Sequence, residues 1–141
     1  MADDIAEQCR QQFGGTFGVM QPTGDRWAEV NGSAQVDRVA ISAWYGRDYC
    51  RETYGGNGPL WPEYWHMFVD EEAQAVAQGL GVYWQRRDLT QFHDHWIRAS
   101  RPMPPYLATA NSRQHWDAAQ ALFNRRRAAG FPGHEPIGVA A

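Results

Sequence analysis

The clearest hydrophobic pattern lies near the C-terminus, where Trp116, Ala119, Leu122 and Phe123 fall on one face of a helix. Asn111 or Ser112 caps that helix, and it runs to Ala129 with Gly130 at its stop. Arg125, Arg126 and Arg127 bring positive charge to its last turn, where the helix dipole is negative. A second helix is expected over Asp70–Gln78, with Asp70, Glu71 and Glu72 in the first turn and Gly79 or Gly81 at the end. Shorter helices are predicted over Ile5–Phe13, capped by Asp3 or Asp4, and over Arg47–Tyr54. Pro62 suits a first helical turn, so Glu63–Met67 is read as helical too.

Strand signals are weaker. Thr16–Met20 and Val82–Trp84 are short strand candidates, and Leu89–Ile97 is a further extended segment. Val36–Trp44 places Val39, Ile41 and Ala43 on alternate positions, which suits a buried strand or the start of a helix. Gln21-Pro22-Thr23-Gly24-Asp25 reads as a turn, Arg101–Tyr106 as a proline-rich loop, and 131–141 as a flexible tail. The loose alternation of strands and helices gives an α/β class, with few strands for a free-standing sheet.

At 141 residues the chain is expected to form one domain. Its 43% hydrophobic and 21% charged content is close to the globular average and argues against a disordered chain. A net charge of −3 argues against a nucleic-acid binder that works through a basic surface. All thirteen basic residues are Arg, most simply a coding bias. No stretch approaches the ~20 apolar residues of a membrane span. Met1–Arg10 is too polar for a secretory signal, so a cytoplasmic protein is expected. Cys9 and Cys50 stand apart, as two reduced, partly buried thiols would.

Four constellations could carry chemistry. On an extended segment His93 and His95 share a face and could reach one metal; alternatively they are packed imidazoles bonded to backbone. Asp70-Glu71-Glu72, with His66 a turn upstream, is either ordinary helix-terminal acid or a catalytic base beside the apolar run Trp61–Val69. Asp3-Asp4 supplies hard oxygen ligands for Mg²⁺ or Mn²⁺, or merely caps a helix. The Gln21–Trp27 turn, with Trp44 and Trp61, offers rings for stacking on sugars, or core aromatics. No nucleophile elbow, Cys–His signature or phosphate-cradling glycine loop is present.

Taken in order, the acidic pair, the Q-P-T-G-D-R-W turn, the D-E-E segment, the H-x-H and a closing helix reading A-L-F-x-x-R-x-A-A-G-F resemble the second half of GT-A glycosyltransferases of the family-2 type, found in bacteria and phages. The resemblance spans Asp3 to Pro132. It implies a partial GT-A, Rossmann-like half with a small mixed sheet and a long C-terminal helix. It implies Asp3 and Asp4 as ligands of a Mn²⁺ or Mg²⁺ ion on the nucleotide-sugar diphosphate, with His95, in competition with His93, completing the metal site. It implies Asp70 as general base, Glu72 as the second acid of the D-x-E, and Trp61, Trp65 and His66 around the acceptor. The reaction implied is inverting transfer of a sugar from a nucleotide-sugar to an acceptor hydroxyl. The family's nucleotide-binding half has no counterpart here. A homo-oligomer or a partner chain supplying that half is therefore expected, with a structural subunit or a sugar-binding module as the other outcomes.

Overall fold

A computed structural model describes residues 1–26, 35–98 and 100–136. Trp27 of the Q-P-T-G-D-R-W turn and the tail beyond Pro136 lie outside the described residues. The elements follow the order α1 (Ala2–Phe13), β1 (Val19–Pro22), β2 (Trp44–Tyr45), α2 (Arg47–Glu52), α3 (Val69–Gly79), β3 (Tyr83–Arg86), α4 (Pro105–Ala110) and α5 (Arg113–Ala128). Two 3-10 turns, at Gln35–Asp37 and Tyr54–Gly56, fall between them. This is the mixed α/β class with a small sheet and a closing helix.

The sheet has three strands in the order β2-β1-β3. Strand β1 is central and buried along its whole length. It pairs antiparallel with β2, Val19 opposite Tyr45, and parallel with β3, from Val19 opposite Tyr83 to Pro22 opposite Arg86. A parallel pair needs a crossover between its strands, and α3 lies in that connection. Its inner face carries Ala73, Val76 and Ala77, whose small size lets the helix approach closely. Ala77 meets Val19 and Tyr49 at the centre of the core, with Phe17, Tyr45, Leu80, Val82 and Tyr83 packed around them. Helix α1 buries none of its residues and ends at Gly14, whose φ of 66° is a conformation that glycine adopts at no steric cost.

Helix α5 forms as its pattern predicts. The Ser112 hydroxyl accepts from the His115 amide at the N-cap. Its inward face, however, is Ala119, Leu122 and Arg126. Trp116 is 40% exposed and touches only the edge of the core, through Phe68 at 5.2 Å between ring centroids. The sequence pattern, which sets Trp116 and Phe123 on the apolar face with Ala119 and Leu122, is thus corrected. Phe123 is half-buried, stacked on Phe68 at 5.5 Å and tilted against Phe131 at 5.6 Å.

Other local expectations also change. Glu63–Met67 forms successive turns rather than a helix. Val36–Trp44 is neither strand nor helix beyond the end of the 3-10 turn and Trp44, the first residue of β2. Leu89–Ile97 joins no ladder, because its polar groups bond locally and to the segment after β1. Arg101–Tyr106 is cut short as a loop, since Pro105 opens α4 at a position where a missing N–H costs nothing. The tail is tied down through its first residues. Phe131 is buried, and its amide donates to the Arg126 carbonyl at 2.8 Å. Among the described residues no helix is long and apolar enough to cross a membrane.

Candidate functional site

A cleft of about 920 Å³ opens between the start of α3, the segment 93–96 and the approach to α4. His66, Phe68, Asp70 and Glu71 form one wall, and His93, Asp94, His95 and Trp96 another. Arg101, Pro104, Tyr106 and Leu107 close the third side. The fold therefore brings together Asp70, His66, His93 and His95 from two sequence constellations more than twenty residues apart.

Asp70 stands in the first turn of α3, just after Phe68. Phe68 adopts φ 69°, an uncommon conformation for a bulky residue, and its ring contacts with Trp116 and Phe123 hold it there. That bend aims the first turn of the helix at the cleft. Among the described residues nothing hydrogen-bonds the Asp70 carboxylate, and burial followed by the charge of Glu71 pushes its pKa up to about 6. His66 opposes the shift. A carboxyl poised near neutrality in an open cleft is suited to accept a proton from a ligand hydroxyl.

His93 and His95 stack at 5.6 Å between ring centroids, with planes 22° apart. The His95 pKa is lowered, first by burial and then by the neighbouring His93, which favours the uncharged ring. Trp96 packs on His95 at 5.5 Å. At the rim, Arg101 pairs with Asp94 at 2.8 Å.

Glu72 occupies a different environment. Two residues beyond Asp70, it points into the protein and is 1% exposed. Arg126 grips it with Nε at 3.1 and 2.8 Å and Nη2 at 2.7 Å. Tyr54 donates to it at 3.0 Å and Tyr64 at 2.7 Å. The Arg126 guanidinium also lies 3.7 Å from the Trp61 ring centroid and donates to the Pro132 carbonyl at 2.9 Å. With its oxygens so occupied, Glu72 ties α3 to α5 and has no face toward the cleft.

The expected acceptor aromatics are displaced in the same way. Trp61 is sandwiched between Tyr54 and Arg126, and Trp65 is 67% exposed and stacked on His115. Neither lines the cleft. Its aromatic walls are Phe68, Trp96 and Tyr106, which the sequence patterns did not single out as a set. Trp96 stands in the sequence constellation His93-Asp94-His95-Trp96, though with no role of its own there; Tyr106 carried no signal beyond its neighbouring prolines.

The donor set does not fit the divalent metal that the resemblance implies. Among the described residues no three His, Cys, Asp or Glu side chains form a group able to hold an ion. Asp3 and Asp4 lie exposed in the first turn of α1 and take no part in the cleft, and Asp4 pairs with the N-terminal amine at 3.0 Å. One ring nitrogen of His95, Nδ1, accepts from the Ile97 amide at 3.3 Å.

Cys9 and Cys50 are free thiols, both half-buried, and burial raises the pKa of each. Raised thiol pKa values suit structural rather than nucleophilic cysteines. The chain matches no known family model, and no curated protein and no solved structure is significantly similar to it.

Proposed function

We propose that this cleft is the acceptor side of an inverting glycosyltransferase-like enzyme, working in the cytoplasm with a nucleotide-binding half supplied by other chain. The observation that carries the reading is Asp70: a half-buried carboxylate, unbonded among the described residues, with its pKa raised to about 6 in a cleft shared with imidazoles and aromatic rings.

Asp70 takes the proton of an acceptor hydroxyl. The oxygen attacks the anomeric carbon of the donor sugar as the bond to the leaving diphosphate breaks on the opposite face. General-base assistance of this kind contributes about 10²–10⁴-fold. Neutral His95 exchanges a hydrogen bond with a second hydroxyl, and Trp96 and Tyr106 offer flat apolar surface to the C–H face of a sugar ring. The Mn²⁺ or Mg²⁺ of the resemblance belongs, in this reading, with the donor diphosphate and its binding half.

The test has two stages. Saturation-transfer NMR of the chain with methyl glycosides should show transfer to the sugar that Trp96→Ala abolishes. With the nucleotide-binding half present, Asp70→Asn should lower nucleoside-diphosphate release at least 100-fold at unchanged sugar affinity, in line with a lost general base. No sugar contact at millimolar concentration, or undiminished release by the variant, would overturn the proposal.

A further inference from the structure

The backbone of the segment that carries the two imidazoles is held by a residue that does not line the cleft. After Pro22 the chain continues beside β3 without strand geometry: the Thr23 amide donates to the Arg86 carbonyl at 2.9 Å and the Gly24 amide to the Leu89 carbonyl at 2.8 Å. This approach requires glycine. A Cβ on Gly24 would lie 2.5 Å from Thr90 Oγ1 and 2.7 Å from the Leu89 carbonyl oxygen. The next residue, Asp25, is thereby delivered beneath the segment that carries His93 and His95, and it is only 6% exposed.

Its carboxylate is fully engaged there. Oδ2 accepts from the His93 amide at 3.0 Å and from Arg98 Nη1 at 2.6 Å, and Oδ1 accepts from Arg98 Nη2 at 2.9 Å. Arg98 Nη1 also donates to the His93 carbonyl at 3.2 Å, and the guanidinium lies 4.0 Å from the Phe92 ring centroid. One buried carboxylate and one fork thus clasp both ends of the segment, the amide and carbonyl of His93 and the side chain of Arg98. Between those ends the backbone turns tightly, with the His95 amide donating to the His93 carbonyl at 2.8 Å and the Arg98 amide to the His95 carbonyl at 3.0 Å. A bidentate arginine–carboxylate pair fixes orientation as well as distance.

We infer that Asp25, acting through Arg98, is the positioning residue of the cleft: it sets where the His93 and His95 rings stand relative to Asp70, and so whether a polyhydroxylated ligand meets both at once. Its importance for a ligand rests on the acceptor-site reading above; its hold on the imidazoles does not. An ordinary surface loop bearing two histidines would leave their rings free to separate. Here the two rings stand in one stack beside the same cavity as Asp70, on a backbone that the clasp fixes at His93.

The experiment is NMR of the imidazole ring protons in the full chain, with Asp25→Asn and Arg98→Lys compared with wild type. Asp25→Asn keeps shape and one acceptor oxygen but removes the charge. Arg98→Lys keeps the charge but removes the fork, and its more exposed side chain makes it the safer variant for folding. In both variants the ring-to-ring contact between His93 and His95 should weaken and their resonances move. Those of His115 and His134, on and after α5, should stay in place. Methyl glycoside affinity should fall at least tenfold. Unmoved His93 and His95 resonances in the folded variants would overturn the inference, as would equal movement of all histidines, which would mark a general loss of structure. If wild type binds no sugar, the acceptor reading fails while the imidazole signals still decide the clasp.

Discussion

Replacing Arg126 by Met tests whether Glu72 is a structural or a chemical acid. The side chains of the pair are 7% and 1% exposed, and three N–O contacts of 2.7–3.1 Å join them. Removing the cation strands a carboxylate in a site that water cannot reach, which costs about 3–5 kcal/mol. The variant should also lose the guanidinium over Trp61 and the bond to the Pro132 carbonyl, loosening the segment after α5. At this chain length a loss of that size lowers the melting temperature by roughly 10–15 °C. Glu72→Gln in the Arg126→Met background removes the stranded charge but keeps an acceptor oxygen for Tyr54 or Tyr64. The double variant should therefore be more stable than Arg126→Met alone, by about 2 kcal/mol, because the two sites act as a unit. Urea unfolding followed by tryptophan fluorescence reads both numbers. If Arg126→Met unfolds within about 0.5 kcal/mol of wild type, as an ordinary surface change does, or if the two losses simply add, the reasoning is wrong.

Asp70 should make stability depend on pH. Its pKa in the folded chain is about 6 against an ordinary 3.8, so the folded state binds the extra proton between these values. That contribution is present below the ordinary value and lost as pH rises through about 6. Asp70→Asn should thus be the more stable protein at pH 7.5, on the order of 1 kcal/mol after solvent screening, with the advantage gone near pH 3.5. A difference that stays constant with pH in urea titrations would show an ordinary solvated carboxylate. On α5, Phe123→Ala should cost about 2–3 kcal/mol and Trp116→Ala no more than about 1.5 kcal/mol, the reverse of ring size, because Phe123 is enclosed by three partners and Trp116 is partly in solvent. Equal losses in chemical unfolding would show that the helix packs through another face.

Local signals determined a good part of this molecule. The Ser112 cap, the helix Arg113–Ala128 and the acidic first turn of Val69–Gly79 follow from capping and dipole effects that act within one turn. The α/β class followed from the alternation of elements, and Asp70 was identifiable as an acid in a helix start. What the sequence could not decide is which of two acids two residues apart faces the cleft. Asp70 and Glu72 look alike in the chain, yet their side chains leave the helix in different directions, and only the position of Arg126, fifty-four residues away, makes one a lock and leaves the other open. The same holds for the tryptophans. Trp61 and Trp65 precede the site in sequence, but Arg126 and His115 on α5 draw them away from it. Trp96 and Tyr106 enter instead, because the clasp of Asp25 on Arg98 and the turn into α4 set where their backbone runs. Each of these choices rests on contacts between residues distant in the chain, and such contacts leave no periodicity to read.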